Sequence, residues 1–294
     1  MTLTDPLREL LGFVGAYLSI GVAALRYGVL GPALGRDPAD AARIGLCQSI
    51  GRRAAWLGLV GIVLATALAI AGAARFSAMR HLPFVDVLIA GHAEGAIRLV
   101  CYAVAILGFG LVAVGFPAGW PMAAFGAVAP QLLGLVTLRW AALVNPVHVL
   151  AGATWIGTLF VLMTIAVPSV LRADRPMQDR ARTVADMVNA FSPMALTAVA
   201  VLVTTGVITA VRHLKFVAAL WTTSYGEALM LKLCIVVAVL SVGAWNWRQV
   251  RPALGTPAAS SRLQRSARVE LLFAGAVLLV TSVLVSLPSP RLPK

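Results

Sequence analysis

One histidine stands inside one of the most apolar stretches of the chain. His148 lies in the segment NPVHVLAGATWIG, residues 145–157, and has no charged neighbour in that segment. Ala151, Gly152 and Trp155 follow it at helical spacing and therefore share its helix face. A histidine, a gap of small residues and a tryptophan predict a notch with a polar tip. Such a notch can accept a neighbouring helix, a metal ion or the edge of a cofactor ring.

The other three histidines and a methionine form a second group of candidate ligands. Met79, His81 and His92 lie between two apolar segments, and His213 ends another. Thioether and imidazole groups suit copper. We therefore predict a metal-binding set made of this group and His148. Two structural alternatives stay open: a loop histidine is usually only solvated, and His148 could hydrogen-bond an adjacent helix instead of a metal.

Four of the charged residues inside or at the ends of apolar segments are further candidates for function, because polar groups are costly there. Glu94 precedes Arg98 by four residues, the favourable order for an ion pair on a helix. Glu227 falls in the first turn of a predicted helix, which also contains Lys232. These side chains could line a polar entry cavity, or they could form structural ion pairs and extend toward the membrane surface.

The elements that must position these residues are membrane spans. The chain has 294 residues, of which 60% are hydrophobic and 12% charged, with a mean hydropathy of +0.90. Soluble domains contain about 25% charged residues. A span needs about 20 mostly apolar residues. The sequence predicts an all-α, polytopic membrane protein with eight transmembrane helices, at residues 10–34, 54–74, 96–115, 122–138, 146–171, 193–211, 226–247 and 269–287.

The positive charges indicate an orientation. The net charge is +13, and most Lys and Arg residues of the connecting segments follow the first, fifth and seventh predicted spans. Cytoplasmic loops carry an excess of Lys and Arg. We therefore expect both termini outside, and this topology places all four histidines at or just below the outer face. The charge is explained by the lipid bilayer, so no nucleic acid partner is expected.

The two halves of the chain resemble each other. Gly21 precedes Pro32 by eleven residues, and Gly157 precedes Pro168 by the same interval. An even number of spans in each repeat gives both halves the same topology. The sequence predicts a tandem repeat of two four-helix halves.

We predict the division of the membrane domain at residues 1–140 and 141–294. In this alignment Arg98 of the first half corresponds to Lys232 of the second. The chain contains no phosphate-binding loop, Ser/His/Asp arrangement or HExxH helix, so an enzyme is not expected. Its three cysteines are isolated, which gives no indication of a disulfide framework or a thiolate metal site.

Three segments of the second half resemble the copper resistance protein D (CopD) family. HVLAGATWIG starts at His148, and FSPMALTAVAVLVTTGVITA starts at Phe191 and contains a Thr-Gly pair at Thr205. TSYGEALMLKLCIVVAVLSVGAWNW, which starts at Thr223, resembles the next helix of that family. The resemblance covers about residues 146–255, and His148 is the histidine that matches a position of the family's motif.

The resemblance implies an eight-helix protein of the bacterial inner membrane that takes up or handles copper, with a periplasmic copper-binding protein as its partner. Copper received at the outer face would then pass toward His148. Two alternatives stay open. One is a redox protein in which His148 ligates haem, since haem iron accepts axial histidine. The other is a membrane scaffold that transports nothing and uses His148 only for packing.

Overall fold

The computed structural model of the protein describes residues 4–35, 40–89, 93–135, 140–213, 218–245, 248 and 257–287. Each secondary-structure element of this part of the chain is helical. The ten helices defined there are α1 (Thr4–Ala24, continued by a π-helical turn Leu25–Leu30 and by Gly31–Gly35), α2 (Ala41–Arg80), α3 (Phe84–Ile89), α4 (Ala93–Ala113), α5 (Gly119–Val128, continued by a 3-10 turn Ala129–Leu135), α6 (Trp140–Gly152, continued by a π-helical turn Ala153–Gly157, then Thr158–Val161, a second π-helical turn Leu162–Ala166 and Val167–Leu171), α7 (Met177–His213), α8 (Ala219–Thr222), α9 (Ser224–Trp245) and α10 (Pro257–Ser286).

Seven helical stretches in the described residues are long and apolar enough to cross a bilayer, so the protein is a multi-pass helical membrane protein. They are Asp5–Ala33, Ala41–Arg80, Gly95–Ala113, Leu143–Leu171, Met177–Arg212, Ser224–Trp245 and Ala267–Ser286. Each contains the main part of a predicted span. The second and fifth of these stretches continue well beyond the apolar cores from which they were predicted.

The predicted span at residues 122–138 differs from the other seven. Its α-helical part ends at Val128 and is followed by a tighter 3-10 turn. Pro130 lies in this turn and has no backbone N–H for a regular helical hydrogen bond. Residues 136–139 lie outside the described part of the chain.

Helix α2 shows how local sequence defines a helix longer than its apolar core. At its start the Asp40 side chain accepts a hydrogen bond from the backbone N–H of Arg43 at 2.8 Å, which caps an otherwise unpaired donor. At its end His81 adopts a left-handed conformation, with φ 53° and ψ 36°. Ser77 stabilises this turn, because its carbonyl accepts from the Leu82 N–H and its hydroxyl donates to the Leu82 carbonyl.

The centre of the molecule is the crossing of α1 and α6. A Cβ added to Gly21 would lie 2.6 Å from the Gly157 Cα atom, so the two backbones touch with no side chain between them. Thr158 strengthens the contact by donating its hydroxyl to the Gly21 carbonyl at 3.3 Å. Around this crossing the buried core contains residues of α1, α2, α4, α5, α6, α7 and α10.

Helices α4 and α5 form a closely packed pair. Gly108, Gly119 and Gly126 lie at the contact, and a side chain at any of them would meet the backbone or a Cβ of the opposite helix. Small residues are typical of helix contacts in membranes because they let backbones approach. The pair packs against α1 and α2 and thereby joins the central crossing.

Candidate functional site

His148 forms a side-chain hydrogen bond to the next membrane helix. Its Nδ1 atom lies 2.9 Å from the Thr205 Oγ1 atom of α7. The structural alternative considered for His148 is therefore correct in one respect, since the imidazole does contact an adjacent helix. The bond occupies one of the two imidazole nitrogens.

The hydrogen bonds of Thr205 determine which imidazole nitrogen carries the proton. A threonine hydroxyl has one hydrogen, and that of Thr205 points to the Val201 carbonyl at 2.6 Å. With the hydrogen directed there, Oγ1 accepts from His148, which assigns the proton to Nδ1. The lone pair is then on Nε2, the atom available to a ligand.

Glycines lie against this imidazole and one turn further along α6. A Cβ on Gly206 would lie 3.4 Å from the His148 Cε1 atom, so the ring rests against the α7 backbone. One turn along α6, the hydroxyl of Tyr17 packs against Gly152. The predicted notch is thus occupied by helix α1 at Gly152. His148 is the part of the notch that remains available for chemistry.

Lys232 of α9 completes the polar surroundings of His148. It lies close enough for an electrostatic interaction with the imidazole and is partly buried. His148, Thr205 and Lys232 lie about 8, 10 and 12 Å along the helix axis from the nearer ends of their spans. The structure therefore brings three polar residues from three helices to a similar depth. The sequence predicts two of them as site residues and Thr205 only as part of a motif.

Trp155 does not keep the α-helical register predicted for it. It lies in the π-helical turn Ala153–Gly157, in which hydrogen bonds join residues five apart. The wider turn shifts Trp155 relative to the face shared by His148, Ala151 and Gly152. The indole is partly buried and packs against the core, which gives it a structural role.

The outer candidate ligands are only partly within the described residues. Met79 lies in the last turn of α2, not in a loop, and is 68% exposed. His81 ends the same helix and is exposed. His92 and the side chain of His213 lie outside the described part of the structure. Among the side chains that are described, no three His, Cys, Asp or Glu residues are grouped as a metal site would require.

The remaining charged candidates are at helix starts. Arg98 is exposed in the first part of α4, and the side chain of its predicted partner Glu94 lies outside the description. Glu227 is exposed in the first turn of α9, as predicted. Thr223 caps that helix by accepting a hydrogen bond from the Gly226 N–H at 3.1 Å. These residues do not join the group around His148 by any described contact.

A network of ion pairs at the opposite end of the helices was not anticipated from the sequence. Arg43 of α2 is 8% exposed and donates to Asp186 of α7 at 2.7 Å. Arg175, just before α7, donates to Asp40, just before α2. The two pairs join segments more than 130 residues apart. We call these four residues the inner ion-pair network, where inner means only the end of the helices remote from His148.

Asp40 has two roles in this network. The hydrogen bond from Arg175, followed by that from the Arg43 backbone, holds the pKa of the Asp40 carboxyl below its ordinary value of 3.8. The same carboxylate caps α2. Its charged form therefore stabilises both the helix start and the connection between the two segments.

Two further residues were not singled out from the sequence. Tyr17 places its ring and hydroxyl against α6, and an apolar run around it gives little signal for this contact. Glu270 is 7% exposed on α10, with a carboxylate oxygen 4.0 Å from the Cβ position of Gly243 on α9. A carboxylate near the start of an apolar helix is a signal that could have identified it.

The fold and the polar group around His148 together define a multi-pass helical membrane protein with a histidine site near one end of its helices. The family model described as Copper resistance protein D matches residues 185–284. Over this segment of the chain, the match agrees with the resemblance noted in the sequence. It includes Thr205 and Lys232, whereas His148 lies before it.

One relative is similar over about half of the chain. Copper transport protein CutJ of Bacillus subtilis (strain 168) is 30% identical over 152 residues, which cover 51% of this chain and 26% of that protein. The chain thus spans about a quarter of the length of this relative. No solved structure is significantly similar to the chain.

Proposed function

We propose that this protein transports copper across the bacterial inner membrane and that His148 is a transient ligand on the path. The observation that carries the proposal is the bond between His148 Nδ1 and Thr205, because it leaves Nε2 free to bind a metal. The CopD match and the name of the relative indicate copper as the metal. Copper is the substrate here, and no catalysed reaction is proposed.

The chemistry of the site favours weak and reversible binding. An outer-shell partner that fixes the tautomer of a ligating histidine raises its ligand strength. The positive charge of Lys232 acts in the opposite direction, because it repels a cation at the imidazole. A transport site must bind well enough to load and weakly enough to release. A single imidazole beside an ammonium group meets both conditions.

Met79, His81, His92 and His213 are proposed as the outer residues that receive copper. In the proposed orientation both termini are outside, and the ends of α2 and α7 are at the outer face. A periplasmic copper-binding protein is the proposed donor. Exposed thioether and imidazole groups at this surface would exchange copper with it.

We propose eight spans arranged as two four-helix halves, residues 1–140 and 141–294. Helix α5 with its 3-10 turn has a length of about 29 Å, close to the hydrocarbon thickness of about 30 Å. Two of the π-helical turns support the repeat by their positions. One begins four residues after Gly21 and the other, Leu162–Ala166, five residues after Gly157.

The decisive experiment measures copper uptake into proteoliposomes and into cells that express the protein. The His148→Ala variant is expected to lose most copper uptake. The His148→Gln variant should show a similar loss. His81→Ala is the matched control for removal of a histidine and is expected to lower the apparent affinity with less effect on maximal uptake. Unchanged uptake in His148→Ala would refute the proposed role.

A spectrum of the purified protein tests the nature of the site in the same preparation. Elemental analysis after incubation with copper(I) should show bound copper in the wild type and less in His148→Ala. A Soret band that disappears in His148→Ala would instead identify a haem ligand and exclude the transport role of this histidine.

A further inference from the structure

A cavity opens between α6 and α10 near the end of the molecule that contains the inner ion-pair network. Its volume is about 350 Å³, within the range of about 300–1,000 Å³ that is usual for ligand sites. Met163, Leu171 and Leu271 form its apolar walls, and Arg172 and Arg268 are also in the lining. The cavity lies far from His148, which is at the opposite end of α6.

The position of the lining residues along α6 gives the cavity a depth. Met163 lies nine residues before Arg172, which corresponds to about 13 Å along the helix axis. Arg172 directly follows the apolar span that ends at Leu171. Arg268 likewise lies at the beginning of the last span, with Leu271 one turn further in. The cavity therefore extends from the membrane surface into the hydrocarbon region, with its charges at the surface end.

The interior of the cavity is apolar, so an occupant needs no polar groups there. Thr164 has the only hydroxyl in the described lining, and it donates to the Phe160 carbonyl at 2.6 Å. The π-helical turn Leu162–Ala166 contributes Met163 and Thr164 to the wall. An apolar chain fits such an interior better than water or a polar solute.

The two arginines at the mouth differ from those of the inner ion-pair network. Arg43 and Arg175 are held by carboxylates, whereas Arg172 and Arg268 have no ion pair or side-chain hydrogen bond with any described residue. No acidic residue is among the described residues that line the cavity. Guanidinium groups bind phosphate through paired hydrogen bonds. Basic pockets between membrane helices bind anionic lipid headgroups by this chemistry.

We infer that the cavity between α6 and α10 is a binding site for an anionic phospholipid, with the phosphate between Arg172 and Arg268 and one acyl chain against Met163 and Leu271. The lipid would join the first helix of the second half to the last helix of the chain. This site is independent of copper binding at His148.

The test compares dioleoyl phosphatidylglycerol with dioleoyl phosphatidylcholine, added to the purified protein in mild detergent. Bound lipid is counted by native mass spectrometry, and apparent affinity is taken from the rise in unfolding temperature with lipid concentration. Each basic side chain near an anionic lipid contributes a factor of about five in affinity. We expect that factor for Arg172→Gln or Arg268→Gln and about thirtyfold for the double variant.

The matched control is the double variant Arg52→Gln with Arg182→Gln. Both residues are exposed toward the same end of the molecule and lie outside the cavity. They remove the same charge and should leave affinity for phosphatidylglycerol unchanged. Equal losses of affinity for phosphatidylglycerol in the two double variants would show an effect of surface charge alone. That result would refute the proposed site.

Two further results distinguish a phospholipid site from a site for free phosphate. Met163→Trp fills the deep end and should prevent phosphatidylglycerol binding while both arginines remain. Glycerol phosphate, which has the phosphate but no acyl chains, should not compete. Equal binding of phosphatidylcholine, or competition by glycerol phosphate, would contradict the proposal. Unfolding in phosphatidylcholine alone reports whether each variant has folded.

Discussion

Thr204 and Thr205 are neighbours on α7 with different surroundings. Both donate their hydroxyl to the carbonyl four residues earlier, at 2.9 and 2.6 Å. Thr204 is exposed on the helix surface, whereas Thr205 is buried and receives the His148 imidazole. The pair therefore provides an internal comparison at the scale of one residue.

Thr205→Val removes the acceptor for the Nδ1–H of His148 but leaves the imidazole in place. Loss of such an outer-shell partner lowers metal affinity by about 10–100-fold. We expect a loss of this size in copper binding to the purified protein. Thr204→Val is the control and should bind copper as the wild type does. If both variants bind normally, Thr205 does not orient a ligand.

The residues of this site were accessible to sequence reasoning to different degrees. His148 could be identified because a titratable group in an apolar helix is rare. Its bond to Thr205 could not, because the two residues are 57 positions apart and many threonines in apolar helices satisfy themselves locally. Lys232 was identified as polar, but its proximity to His148 depends on how three helices pack.

At the scale of elements, the π-helical turns are the feature that hydropathy does not reveal. Long apolar runs predicted seven helices that the structure contains, because chain length and hydropathy alone determine whether a segment can cross a bilayer. A π-helical turn adds one residue to a helical turn and changes neither the length nor the hydropathy of the segment. Trp155 lies in such a turn. The weak point of the fourth predicted span was visible in Pro130.

Gly157→Ala tests the crossing of α1 and α6. The added Cβ would lie 3.0 Å from the Gly21 Cα atom and closer still to the Tyr17 carbonyl oxygen, so the helices must separate. Overpacking of this kind costs about 1–3 kcal/mol. Gly110→Ala is the control, since its Cβ would meet nothing within 4 Å. Thermal unfolding in detergent should show a lower transition for Gly157→Ala and no decrease for Gly110→Ala.

At the scale of the whole molecule, the inner ion-pair network connects the start of α2 with the segment at the start of α7. Asp186→Asn leaves Arg43 buried and without its carboxylate. Breaking a buried pair by removal of one partner costs about 3 kcal/mol or more. We expect a clear loss of unfolding free energy, measured by denaturant or thermal unfolding. Asp174→Asn removes the same charge from an exposed position nearby and should change stability little.

The pH dependence of stability isolates the contribution of the Asp40 charge. A carboxyl whose folded-state pKa is lowered stabilises the fold above its unfolded-state pKa, and this contribution is lost as the pH falls through the lower folded-state value. Asp40→Asn keeps a helix-capping side chain but removes the charge. The wild type should therefore unfold at a higher temperature than Asp40→Asn at neutral pH.

The difference in unfolding temperature between the wild type and Asp40→Asn should shrink only as the pH falls below about 3.8. A difference that disappears between neutral pH and pH 5 would assign the effect to another group. The network itself could not be predicted from the sequence. Its four charges resemble ordinary basic and acidic loop residues until the fold brings two distant connections together.

The contact of Gly21 with Gly157 gives the molecule a fulcrum. Gly157 lies at the midpoint of the span Leu143–Leu171, so each arm of α6 is about 21 Å long. A change of about 10° in the crossing angle then moves each helix end by about 4 Å, in opposite directions at the two membrane faces. Because the contact is central in both helices, a wider crossing angle separates α1 from α6 at both faces together, including the face beside His148. Spin-label distances between α1 and α6 that change with opposite signs at the two faces would exclude this pivot.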